Sequence, residues 1–182
     1  MVAKGYAQQH GVDYTEVFAP LARWDTIRMT IALAAQNSWN MYQLDVKSAF
    51  LYGELKEAVF IEKPQGYEKK CQEDKAYKLK KALYGLKKAP HAWYSRIEAH
   101  FFKEGFERCN CNHTLFVQTG DGGKILIFSQ CVDVLSFTGN DENMFVKFKN
   151  SMKPEFERTD LGKMKYFLDV NILQNPEGIY IS

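Results

Sequence analysis

A chain of 182 residues is long enough for one domain with a sizeable core, and its 46% apolar and 14% aromatic content excludes intrinsic disorder. A formal net charge of +2 is too mild to mark a nucleic-acid binder by itself, so such a function has to rest on how the charge is distributed. No run approaches the ~18 apolar residues of a membrane span, the N-terminus lacks the order of a signal peptide, and the cysteines at 71, 109, 111 and 131 show no CxxC spacing. The expectation is an intracellular chain with reduced thiols and no membrane association, its oligomeric state open.

After a polar opening, Asp25 is placed to cap a helix whose apolar residues Ile27, Ile31, Ala34 and Ala35 recur at helical spacing until Asn37 and Ser38. Residues 41–46 alternate as a half-buried strand does, with Tyr42, Leu44 and Val46 on one face and Gln43 and Asp45 on the other. Residues 59–62 and 77–80 read as short strands, separated by a turn at Pro64-Gln65-Gly66 and a charged loop. Pro90 suits the first turn of the next helix, in which Trp93, Ile97 and Phe101 form a core stripe and Gly105 stops the run. His91 and His100 are expected to face solvent, because no second ligand sits at metal spacing beside either. Cys109-Asn110-Cys111 reads as strand, with both thiols on one side.

Residues 115–118 and 124–128 flank Gly120-Asp121-Gly122-Gly123, a hairpin signal. A second hairpin follows in "FSQCVDVLSFTG", residues 128–139, with 128–132 and 135–138 as arms and Asp133 at the tip. From Asn140 or Asp141 a capped helix carries Phe145, Phe148, Met152 and Phe156, and Thr159-Asp160-Leu161-Gly162 reads as a loop. Residues 166–173 and 179–181 make a last hairpin around Asn175-Pro176-Glu177-Gly178. Helices mixed with antiparallel hairpins, without a regular βαβ repeat, give an α+β class.

Asp133 stands alone in an apolar run, where a buried unpaired carboxylate would cost several kcal/mol. It is either a turn residue bonding its own backbone or a metal or catalytic carboxylate at a hairpin tip. Asp45 and Asp133 share one context: each sits on or beside a strand with an apolar partner face, and they are far apart in the sequence. If the two strands are neighbours, the carboxylates could converge on Mg²⁺, which takes hard oxygen ligands and bridges to substrate phosphates. Lys69, Lys70, Lys75, Lys78, Lys80, Lys81, Lys87 and Lys88 crowd a stretch that also holds Tyr77, Tyr84, Trp93 and Tyr94. That pattern suits a phosphate backbone with stacked bases, and it suits an ordinary solvated face equally.

Four blocks in order, "VAKGYAQQHGVDYTEVFAPLAR", "QLDVKSAFLYGELKEAVFIEKPQGY", "YKLKKALYGLKKAPHAWY" and "FTGND", resemble the reverse transcriptase domain of copia-type long-terminal-repeat retrotransposons, and "FERTDLGKMKYFL" resembles the next block. The resemblance covers nearly the whole chain. It implies a right-hand polymerase reduced to fingers and palm, residues 1–182 forming one partial domain with an antiparallel palm sheet backed by helices. It also implies two Mg²⁺ ions, an RNA or DNA template with its primer, and deoxynucleoside triphosphates as substrates. In "QLDVKSAF", Asp45 matches the first metal-binding aspartate, Val46 a residue whose backbone oxygen faces the metal, and Phe50 the bulky gate against a ribose 2′-hydroxyl. In "LYGLKKAP", the resemblance assigns Tyr84, Gly85, Lys87, Lys88 and Pro90 to the block beneath template and incoming nucleotide. "CVDV" at 131–134 takes the place of the Tyr-Val-Asp-Asp turn, with Asp133 matching its first aspartate.

That turn is also where the chain departs from the family: Val134 replaces the second aspartate and Cys131 the tyrosine that approaches the primer end. Valine offers no oxygen and no charge to a cation, and one carboxylate a few Å from Mg²⁺ is worth several kcal/mol. The expectation is weak or absent polymerase activity with an intact fold, since valine is a good strand former. Asp169 and Asn171 fall where the family usually shows glycine and glutamate in the primer-grip hairpin. Relative to the family, thumb, RNase H and the strand before "VAKGYAQ" are expected to be absent. The readings in contention are an impaired RNA-directed DNA polymerase domain, a non-catalytic nucleic-acid-binding remnant, and a marginally folded relic.

Overall fold

The computed structural model describes residues 2–63, 66–67 and 75–182. Pro64 and Gln65 of the expected turn, and Lys69, Lys70 and Cys71, lie outside the described residues. Among the described residues the elements in chain order are α1 (Trp24–Gln36), β1 (Met41–Val46), β2 (Glu54–Ile61), β3 (Tyr77–Lys81), α2 (Ala89–Lys103), β4 (Glu107–Cys109), β5 (Asn112–Gly120), β6 (Lys124–Cys131), β7 (Val134–Gly139), α3 (Glu142–Met152), β8 (Arg158–Lys163), β9 (Tyr166–Phe167), β10 (Val170–Asn175) and β11 (Gly178–Ile181). This is the mixed α+β class that the pattern predicts, its sheets antiparallel. No helix among the described residues is long and apolar enough to cross a membrane.

The chain divides into two compact units, Met1–Ala19 with Ala49–Glu98, and Pro20–Ser48 with Ala99–Ser182. In the first, β2 and β3 pair antiparallel with Val59 opposite Leu79 and Ile61 opposite Tyr77. β2 begins at Glu54 rather than near 59, because Glu54 pairs with Lys81 beyond an irregularity and the Gly53 carbonyl accepts from the Ala82 amide at 2.8 Å. The core of this unit is Val59, Ala82, Leu86, Ala89 and Ala92, with Phe50 and Leu79 packed against it. The N-terminal segment is stitched onto the "LYGLKKAP" block: the Ala3 amide donates to the Tyr84 carbonyl at 2.7 Å and the Lys87 amide to Gln8 Oε1 at 2.8 Å. Gly85, at φ +93, admits the Ala3 carbonyl to 2.1 Å from where a Cβ would stand, which no larger residue allows.

The second unit holds a six-stranded sheet of order β4-β5-β6-β7-β1-β8. One face packs an aromatic core in which Phe128 stacks on Phe116 (centroids 4.9 Å) and on Phe148 of α3 (5.6 Å), with Phe101 of α2 4.1 Å away. The other face packs Met41 against Ile27, Ile31 and Ala34 of α1 and against Met164, Phe167 and Ile172. A three-stranded ribbon, β11-β10-β9, docks here through Gln174, whose side chain accepts from the Met41 amide and donates to the Met41 and Met164 carbonyls.

Several local expectations change in context. β1 is covered on both faces, and Gln43 is buried, its amide donating to the Tyr166 carbonyl at 3.0 Å. Asp25 is not the α1 cap: the helix begins at Trp24, which stacks on Phe167, and Asp25 sits in the first turn, where a carboxylate complements the helix dipole. Asp141 does cap α3, accepting from the Met144 amide at 2.9 Å. The expected loop at 159–162 is part of β8, because β1 would otherwise expose an unpaired edge. Leu161 bulges out of the pairing, and Gly162 takes φ +71 beside it. The expected strand 166–173 is broken by a tight turn between β9 and β10, with Leu168 at φ 54. Cys109 ends β4 and Cys111 lies in the following turn, so the two do not share a strand face. His100 is 3% exposed rather than solvent-facing, its ring edge-on to Phe156 at 5.3 Å.

Candidate functional site

The hairpin that raised the question of Asp133 is built by β6 and β7, closed by the pair Cys131 and Val134 around a two-residue loop, Val132-Asp133. Val132 takes φ 54, the sign that the first residue of a type II′ connection demands and one that a β-branched residue adopts only under strain. The arms override that cost because Leu126, Phe128, Leu135 and Phe137 are fully buried along them.

β1 lies beside β7 with Asp45 directly opposite Val134, and on its other side Asp45 faces Thr159 of β8. Directly opposed residues project to the same face of a sheet. Cys131, Val134, Asp45 and Thr159 therefore form one row across four strands. The row is locked at the loop, where the Val46 amide donates to the Asp133 carbonyl at 2.9 Å. Asp45 and Asp133, 88 positions apart in the chain, thus lie on an adjoining strand and loop, near enough for the charge of Asp133 to act on Asp45.

The electrostatics agree with that proximity. Partial burial holds the Asp45 carboxyl above its ordinary value, the neighbouring charge of Asp133 pushes it further up, and Lys47 pulls it back. Burial, then Asp133, also pushes the Cys131 thiol up, which leaves it a poor nucleophile. Beside the row a cavity of about 430 Å³ opens between loop residues 131–134, Leu161, Lys163, Lys165 and residues 166–168, with Gln43 in its wall.

The donors present are of the kind a magnesium ion takes: two carboxylates, both partly open to solvent, with the charge of Asp133 acting on Asp45 in a way that a cation would relieve. Val134, directly opposite Asp45, offers a cation no oxygen, and among the described residues no group of three or more His, Cys, Asp or Glu side chains gathers.

The other expected site residues belong to the first unit. Phe50 and Tyr84 pack ring against ring, centroids 4.7 Å apart. Gly85 and Lys87 are exposed, and Pro90 is the second residue of α2. Lys88 differs from its expected role: it is only 7% exposed and ion-paired with Glu57, so its charge is committed within the protein. Trp93 and Tyr94 are likewise buried, which removes them from any stacking surface that Lys75, Lys78 and Lys80 could share. Periodicity gave no sign of Thr159 or Lys47 as neighbours of the dyad. Lys47 stands inside "QLDVKSAF", two positions after Asp45, and that spacing on a strand was the available signal.

The family described as "Reverse transcriptase (RNA-dependent DNA polymerase)" matches residues 1–182. Among curated proteins, the chain is 36% identical over its full length to the retrovirus-related Pol polyprotein from transposon RE1 of Arabidopsis thaliana and 35% identical to that from transposon RE2. It is 31% identical, over 96% of its length, to the Pol polyprotein from transposon TNT 1-94 of Nicotiana tabacum. It spans 12% of each Arabidopsis polyprotein and 13% of the tobacco one. No solved structure matches the chain at a significant level. With that match over all 182 residues and a carboxylate pair assembled on an antiparallel sheet, the chain belongs to the reverse transcriptase family, as a domain of the copia-type retrotransposon Pol polyproteins.

Proposed function

We propose that the chain is the fingers and palm part of an RNA-directed DNA polymerase domain, built to add deoxynucleotides to a primer 3′ end and impaired in this copy by Val134. The observation that carries this reading is the juxtaposition of Asp45 on β1 with Asp133 in the loop between β6 and β7, in a chain that the family matches from end to end. The unit containing β2 and β3 corresponds to fingers and the six-stranded sheet to palm, the two forming one partial polymerase domain. Asp45, Asp133 and the Val46 carbonyl would hold Mg²⁺, which supplies charge neutralisation for the reacting phosphate and primer oxygen. Phe50, braced by Tyr84, would bar a ribose 2′-hydroxyl, and Lys87 would meet template or primer phosphate.

Val134 also supports a second reading, a nucleic-acid-binding remnant without chemistry, because Asp45 in the row and Asp133 in the adjoining loop are two acidic side chains where a two-ion site uses three. Primer extension on an RNA template, in Mg²⁺ and then Mn²⁺, separates the two. Faint extension by this chain and strong extension by Val134→Asp supports the polymerase. Salt-dependent binding of primer–template with no extension by either chain supports the remnant.

A further inference from the structure

The charged group nearest the dyad on its own strand is Lys47. β8 continues alongside β1 past Val46: the Lys47 amide donates to the Glu157 carbonyl at 2.9 Å, which extends the register Asp45–Thr159, Val46–Arg158 by one more pair. Lys47 therefore projects from the same face as Asp45, two residues or about 7 Å further along. Its field reaches the Asp45 carboxyl, where it opposes Asp133. The ammonium is not aimed at Asp45, however. It is ion-paired with Glu157 at 2.9 Å, and both side chains are more than half exposed.

A single ion pair in that much solvent has little net worth, so a partner carrying several negative charges at the same place displaces the carboxylate. The dyad is where a metal-bound polyphosphate would be anchored, and Lys47 is the cation one ladder step beyond it.

We propose that Lys47 is the polyphosphate-contacting residue of this site, held by Glu157 in the free protein and handed over to the triphosphate of an incoming nucleotide. This rests on the polymerase reading for the identity of the nucleotide, and on the geometry above for the anion site itself. Glu157 then acts as a placeholder: it keeps the lysine extended along β8 and weakens anion binding by the work of breaking the pair.

The test is calorimetric titration of inorganic tripolyphosphate with Mg²⁺ into the whole chain and its variants, with thermal midpoints recorded to verify folding. Lys47→Gln weakens binding by roughly tenfold or more, the loss of one charge-assisted hydrogen bond. Lys47→Arg retains binding, and Glu157→Gln tightens it several-fold. Equal binding by the native chain and Lys47→Gln, weaker binding by Glu157→Gln, or no binding by the native chain overturns the proposal. Primer extension by Val134→Asp reports separately on the polymerase reading. Lys47-dependent tripolyphosphate binding without extension leaves the anion site standing and removes the polymerase reading; extension with Lys47-independent binding does the reverse.

Discussion

Restoring a carboxylate at position 134 should change how the protein responds to magnesium before any chemistry is measured. Val134 and Asp45 are direct partners across β7 and β1, so in Val134→Asp the two Cβ atoms lie about 4.5–5.5 Å apart. Two unit charges at ~5 Å repel by about 0.8 kcal/mol in water and by about 3 kcal/mol at an effective dielectric of ~20. Asp45 is partly exposed, so the metal-free cost lies near the lower figure, about 1 kcal/mol, or a fall of ~2–4 °C in melting temperature. A divalent cation between the carboxylates reverses the sign and doubles the charge product, strengthening Mg²⁺ binding by about 1–3 kcal/mol, roughly ten- to a hundredfold. Thermal unfolding in EDTA and in millimolar Mg²⁺ reads both effects, because a ligand that binds only the folded state raises its stability with concentration. The variant should melt below the native chain in EDTA and gain more from Mg²⁺. If magnesium stabilises the two equally, the row is not a metal site and the account of Val134 as the lesion fails.

Three further outcomes follow from the structure. Asp45 should titrate above the ordinary carboxylate value, by burial first and Asp133 second, so the contribution of its proton to stability is present at acid pH and lost as pH rises through the raised folded value. NMR titration of the Asp45 carboxyl carbon should show Asp133→Asn lowering its midpoint while burial keeps it above normal; an unmoved midpoint contradicts the coupling. Phe128→Ala removes a ring stacked between Phe116 and Phe148 at 0% exposure and should cost about 3–5 kcal/mol in urea unfolding, and a loss under 1 kcal/mol would show that the aromatic core does not depend on it. Lys87→Gln should weaken salt-dependent binding to a primer–template hybrid and leave the melting temperature alone, whereas Lys88→Gln should strand Glu57 and lower stability by about 1 kcal/mol; interchanged effects would refute the division between an exposed and a committed lysine.

The elements with strong local periodicity were legible from residues alone. The stripe Trp93, Ile97 and Phe101 is buried as its spacing demands, and the glycine-rich hairpin between β5 and β6 and the Asp141 cap of α3 lie where the pattern puts them. The candidate aspartates were legible for a different reason. Asp133 breaks an apolar run, where a charge has to have a use or a partner, and Asp45 lies on a strand with an apolar opposite face inside a block that matches the family.

Pairing was not legible, because it joins segments whose local patterns are silent about each other. Residues 159–162 carry turn-forming Asp and Gly, yet they are strand because β1 offers an open edge with amides to satisfy. His100 looks like a surface helix residue and is buried against Phe156 from a distant segment, while Lys88 sits in a basic cluster and is paired with Glu57 on β2. The row Cys131, Val134, Asp45 and Thr159, with Lys47 and Glu157 one step beyond, exists only once β6, β7, β1 and β8 take one register. Sequence motifs name the family to which this chain belongs, and inter-strand hydrogen bonding decides which of its side chains stand together.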